Sequence, residues 1–272
     1  MNGIEGYRDF LKRRDGEADL LNRRLGNRED FFKSLEANPV RSVHPADRAT
    51  FLRNLRRRRP EPGLDRKMLF LLATAKLNQA ERFGVGLGET YGLNSDEDTL
   101  PERVYVELEE HYHTRLLAYV LDVFDLTFQV VPPPFVMRQF VKTQVFLPER
   151  PGILFVGAAE MAGCVLFDAL RRIGMQLFAD EPEVVERIVL LYSEILTDEV
   201  GHVGYCASRC TAAERAIMRR VYPRFARLFA RQTAEISLLV DPDELRARLD
   251  RPFDVDELTA GLDNETYLVT HP

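Results

Sequence analysis

Cysteine is scarce in this chain. Cys164, Cys206 and Cys210 are few and odd in number. That excludes a disulfide scaffold and favours a reducing compartment. Excess positive charge is absent too: the net charge is -6. This argues against a protein that binds nucleic acid by neutralising phosphates. The opening residues, MNGIEGYRDFLKRRDGEADL, lack the apolar core that a signal peptide needs. No convincing strand run, tandem repeat or low-complexity segment occurs. Gly84-Val85-Gly86-Leu87-Gly88 is not a dinucleotide fingerprint, because no strand precedes it and its third glycine is misplaced. What remains, 272 residues of which 45% are hydrophobic and 29% charged, has the composition of a soluble globular protein with a real core. The expectation is a cytoplasmic protein with neither nucleic acid nor membrane as partner.

Long apolar runs are almost lacking. The exception is GILFVGAAEMAGCVLF, residues 152 to 167, interrupted only by Glu160. It is shorter than the roughly 18 residues of a spanning helix, and Asp168, Arg171 and Arg172 follow it. A buried helix is expected. Its central carboxylate then needs an explanation, because an unpaired buried charge is costly.

Helical spacing prevails elsewhere. Residues 5 to 36 place Tyr7, Phe10, Leu11, Leu20, Leu21, Phe31, Phe32 and Leu35 in heavily charged surroundings, which predicts surface or partner-facing helices. Arg56 to Arg59 read as a solvated helix end running into a linker at Pro60 and Pro62. Four long, largely buried helices follow, over 64–83, 101–124, 152–178 and 183–209. Glycines 84 to 88 are expected to end or distort the first, and Pro101 starts the second at a favourable position. A proline-rich connection over 126–150 holds at most one short helix. Further helices are expected over 211–236 and within 240–272. The organisation predicted is all-α: an N-terminal helical extension, 1–63; a four-helix bundle with one long crossover, 64–210; and C-terminal helices and a tail, 211–272.

The chemistry concentrates on these four helices. The second carries Glu110-His111-Tyr112-His113 and the fourth carries Asp198-Glu199-Val200-Gly201-His202. Each contains Glu-x-x-His, and residues three apart on a helix are neighbours with Cβ atoms roughly 5–6 Å apart. One Glu and one His from each motif can therefore reach the same metal ion. The first and third helices each bring a carboxylate in an apolar setting, Glu81 and Glu160. The order Glu, Glu-x-x-His, Glu, Glu-x-x-His is the ligand set of dimetal carboxylate bundles. Four carboxylates balance two divalent cations, so burying the cluster whole is far cheaper than burying any member alone. Mixed carboxylate and imidazole ligation suits iron or manganese better than zinc. Glu107 with His111, and Glu89 in place of Glu81, are spacing alternatives. Lys76 and Arg82 lie near enough in sequence to pair with Glu81 instead.

With these residues the chain resembles the ferritin-like diiron-carboxylate proteins, which include the ribonucleotide reductase small subunit, the bacterial multicomponent monooxygenases and, loosely, p-aminobenzoate N-oxygenase. The resemblance spans residues 64 to 209. It implies Glu81, Glu110, His113, Glu160, Glu199 and His202 as ligands of two iron ions, or of an iron and a manganese. Asp198, and Glu109 on the second helix, would orient histidine ligands through hydrogen bonds. Cys164, one turn after Glu160, would face the cavity beside the oxygen-binding side. The implied activity is a dioxygen-dependent diiron monooxygenase or oxidase that hydroxylates a C–H bond or oxygenates an amine of a small organic substrate. Electrons would come from a separate reductase or ferredoxin, and a homodimer is a possible assembly. Two departures are visible: Gly201 stands where monooxygenases often have Arg, and Ile195 where the N-oxygenase has a further His. A ferroxidase or iron-handling protein, and a non-enzymatic helical interaction protein, are the rival expectations.

Overall fold

The computed structural model describes residues 20–90, 101–127, 133 and 135–250, with Glu5, Arg8, Leu11 and Lys12 besides. Among them all regular structure is helical, and no strand occurs. The helices are α1 (Leu20–Ala37), α2 (Arg48–Leu55), α3 (Arg66–Thr90), α4 (Pro101–Asp122), α5 (Phe135–Phe146), α6 (Glu149–Leu177), α7 (Pro182–Ser208), α8 (Ala212–Gln232), α9 (Ala234–Leu239) and α10 (Pro242–Asp250).

Local chemistry sets many of the boundaries. Asp47 caps α2 by accepting from the backbone N–H groups of Ala49 and Thr50. Thr211 and Glu214 form a reciprocal capping box at the start of α8. Pro182 opens α7, where its missing N–H costs nothing. Between α2 and α3 the chain turns at Gly63, whose φ of 81° suits a residue without a Cβ.

Two boundaries differ from the sequence expectation. The glycines at 84 to 88 do not end α3, which continues to Thr90. Glycine's helix penalty, about 1 kcal/mol each, is small beside the packing of this helix on α4, α5 and α9. The segment expected as one helix over 211–236 is two, with Thr233 between α8 and α9.

Helix α3 packs on α4, α4 on α7, α7 on α6, and α6 back on α3. Leu72, Leu116, Leu117, Val120, Leu166, Leu170, Ile188, Leu191 and Ile195 belong to one buried apolar cluster. Phe178 closes one end, its ring 4.7 Å from Phe124 and 5.6 Å from Phe70. Helix α6 is long and apolar enough to cross a membrane by composition, and much of it lies inside the molecule. Helix α8 packs on α6, and α9 on α3.

Helix α1 is more than a surface element. Phe31, Phe32 and Leu35 are buried, and Phe32 packs on Tyr112 and Tyr119 of α4. The Arg56 to Arg59 run is exposed just past α2.

Candidate metal centre

The two Glu-x-x-His motifs face each other across the α4–α7 contact. His113 and His202 are fully buried, with ring centroids 5.4 Å apart. Their nitrogens divide the work in the same way. His202 Nε2 lies 3.2 Å from Glu109 Oε2, and His113 Nε2 lies 3.4 Å from Asp198 Oδ2. Each Nε2 thus turns to the acid that precedes the opposite motif's Glu. Each Nδ1 turns the other way. His202 Nδ1 is 3.1 Å from Glu110 Oε1 and 3.6 Å from Glu160 Oε2. His113 Nδ1 is 3.5 Å from Glu199 Oε1 and 3.7 Å from Glu110 Oε2.

Helices α3 and α6 supply the remaining carboxylates. Glu81, Glu110 and His113 offer ligand atoms all within 4.8 Å of one another, as do Glu110, Glu160 and His202. Glu110 belongs to both groups. Glu199 joins through His113 and through contact with Glu160. All six residues expected as ligands therefore meet at one place. On α6, Gly163 makes room for Glu199: a Cβ there would lie 3.3 Å from Glu199 Oε2. The histidine side is closed, whereas the side chains of Glu110 and Glu160 keep 21% and 14% of their exposure.

Electrostatics set the cluster apart. Burial, and then the neighbouring Glu110, raises Glu81 well above the usual carboxylate range. Burial and then Glu160 do the same for Glu199. Burial pushes Glu110 up as well, but the two imidazoles beside it outweigh that and hold the carboxyl well below its usual value. His202 is raised well above its usual value: burial opposes this, and Glu109, Glu110 and Glu160 prevail. Among the described residues no lysine or arginine pairs with Glu81, Glu110, Glu160 or Glu199. Lys76 instead pairs with Glu235, and Arg82 bonds Asn78. Four carboxylates thus share a site whose internal counter-charges are two imidazoles.

The donor set fits divalent metal. Both ring nitrogens of His113, His202 Nδ1 and Glu199 Oε2 are buried atoms with no hydrogen bond among the described residues. Such orphaned acceptors are costly unless something else satisfies them. A cation between the Nδ1 atoms and the carboxylates would do so, and the Glu109 bond to His202 Nε2 leaves Nδ1 of that ring as the basic nitrogen. These groups could hold a metal ion.

Comparison of the chain with protein-family models, with curated proteins and with solved structures yields no significant match.

Three residues singled out by sequence stand beside the cluster. Glu109 and Asp198 are fully buried and make the histidine contacts just described. Cys164 is fully buried within electrostatic reach of Glu160 and His202. Burial, then Glu160, raises its thiol above the usual cysteine range. Two alternatives fall away or lie outside view. Glu107 pairs with Arg103 at 2.8 Å, and neither it nor His111 joins the metal-capable groups. The side chain of Glu89 lies outside the described residues. A surface cavity of about 250 Å³ between α3 and α4, lined by Asn78, Arg82, Tyr119 and Asp122 among others, touches no residue of the cluster.

Sequence reasoning missed two residues. Gly163 could have been found from its place three residues after Glu160. Arg28 carried no such signal. It is fully buried on α1 and binds Asp198 and Glu194.

Proposed function

We propose that α3, α4, α6 and α7 form a ferritin-like four-helix bundle, with its long crossover running through α5, and that the protein is a non-haem diiron oxygenase. The observation that carries this reading is the pair of orphaned imidazole Nδ1 atoms facing four carboxylates that no lysine or arginine neutralises.

Glu81, Glu110, His113, Glu160, Glu199 and His202 would hold the metal pair. Glu110 is common to both donor groups. When bound, two ferrous ions would supply electrons and open positions for reducing dioxygen. The chain's own residues do the rest. Glu109 bonds the Nε2 of His202 and Asp198 Oδ2 stands 3.4 Å from the Nε2 of His113, contacts that would orient both rings and leave Nδ1 as the donor. The dry interior on the histidine side keeps water from the imidazoles. The partly exposed side at Glu110 and Glu160 is the route for a small organic substrate, oxidised by C–H hydroxylation or amine N-oxygenation. Electrons for turnover come from a separate reductase or ferredoxin.

The decisive test is metal content by plasma mass spectrometry, on protein expressed with iron and beside Glu199→Ala. About two irons per chain, lost in the variant, are expected. Anaerobic reduction followed by oxygen should then produce a transient visible band. A wild-type protein that stays metal-free after anaerobic Fe(II) reconstitution overturns the reading.

A further inference from the structure

Arg28 is a large cation with no exposed surface. It lies in the N-terminal extension, far in sequence from both motifs. Its Nη1 donates to Glu194 Oε2 at 3.1 Å, and its Nη2 to Asp198 at 2.8 Å (Oδ2) and 3.2 Å (Oδ1). The guanidinium carbon sits 5.1 Å from the Tyr112 ring centroid, close enough for a cation–π contact. The oxygen that takes the shortest of these bonds, Asp198 Oδ2, is also the one 3.4 Å from His113 Nε2. A continuous line therefore runs from α1 through Asp198 to His113, whose Nδ1 faces Glu110 and Glu199.

Burying an arginine is expensive unless its donors are matched. Here the fork engages two carboxylates of one helix, Glu194 and Asp198, which stand four residues apart on α7. A lysine cannot span both with fixed geometry. Asp198 without Arg28 would be a buried carboxylate free to rotate. That change releases the His113 ring.

We propose that Arg28 is a positioning residue of the metal centre: it locks Asp198, and through it the orientation of His113, so that helix α1 is a working part of the site. This rests on the dimetal reading above. It adds that the His113 half of the site depends on a helix outside the four that carry the ligands.

The test is anaerobic titration of the metal-free full-length protein with Co(II), read by its visible absorption, alongside melting curves of the metal-free forms. Wild type is expected to take up two Co(II) per chain. Arg28→Gln should weaken one of the two sites by about 10- to 100-fold, the usual cost of losing a ligand's hydrogen-bonding support, and leave the other near its wild-type affinity. In an Asp198→Asn background the same substitution should add little further loss, because both act through one path. Arg28→Lys retains the charge without the fork. It should recover melting temperature more than affinity, and it reads the same split if Arg28→Gln does not fold. Two sites of unchanged affinity in Arg28→Lys or Arg28→Gln overturn the inference while leaving the dimetal reading standing. So do losses that simply add to those of Asp198→Asn. A wild-type protein that takes up no Co(II) overturns both.

Discussion

Helix α6 carries two carboxylates two turns apart, Asp168 buried and Glu160 largely so, and their surroundings could hardly differ more. Asp168 is met by Arg171 at 2.9 Å, by Arg172 at 3.0 Å and by Arg248 of α10. Burial alone would raise its pKa, but the three arginines outweigh that and hold it below the usual range. Glu160, by contrast, faces other carboxylates, and among the described residues its ionic partner is the His202 imidazole. One acid is satisfied by the chain itself and clips α10 to α6. The other sits in a cluster with surplus negative charge. The two sites show that burying an acid is not itself a functional sign. The sign is burial with too little internal cation.

The sharpest way to break this comparison is to supply or withhold metal. Mn(II) or Fe(II), added without oxygen, should raise the melting temperature of wild type by mass action, up to about 4 kcal/mol of stability at a thousandfold excess over Kd. Glu110→Ala should abolish the rise, since Glu110 belongs to both groups. Asp168→Asn should leave it intact. Calorimetry of the three proteins with and without metal decides the matter; a metal response equal in wild type and Glu110→Ala would refute the distinction.

Packing on the same helix gives the next effect. A Cβ at Gly174 would lie 2.7 Å from Ile188 Cγ2, a stiff branch. Gly174→Ala should therefore cost about 1–3 kcal/mol with metal uptake per folded chain unchanged, as urea unfolding and metal analysis would reveal.

In the metal-free protein the two acids should then respond with opposite sign. Asp168→Asn removes a charge that three arginines favour and should cost about 1–2 kcal/mol, allowing for the exposure of Arg172. Glu199→Gln relieves crowding with Glu160 and should leave the melting temperature unchanged or higher. The Asp168 contribution also carries a pH signature. A carboxyl whose folded pKa is depressed stabilises fully above its unfolded value, near 4, and loses that contribution as pH falls through the lower folded value. The gap between wild type and Asp168→Asn should thus persist at neutral pH and close in strong acid.

The smallest effect is expected at Gly163. Gly163→Ala gains helix propensity of up to about 1 kcal/mol, but its Cβ crowds Glu199 Oε2. Weaker Co(II) binding with an unchanged or higher metal-free melting temperature is the expected outcome. Loss of stability with unchanged binding would mean that the glycine serves packing alone.

Much of this was legible before folding. A helix repeats every 3.6 residues, so Glu110 with His113, and Glu199 with His202, had to share a face. The apolar run around Glu160 marked a buried helix by composition, and the acids before each motif's Glu were readable by position. These are local properties, and local periodicity transmits them without knowledge of the rest of the chain.

Tertiary structure alone decided the remainder. The choice of Glu110 and His113 over Glu107 and His111 depended on which face of α4 meets α7, because i, i+3 and i, i+4 pairs both share a helix face. The freedom of Glu81 from Lys76 and Arg82 depended on Glu235 and Asn78 taking those cations. The continuation of α3 through its glycines came from neighbours that outweigh propensity. Arg28 was the least readable of all. One arginine among many in a charged helix, it acquires its role only when a chain segment 170 residues away folds back to bring Asp198 beside it. Periodicity reports which residues share a face, but only packing decides what that face meets.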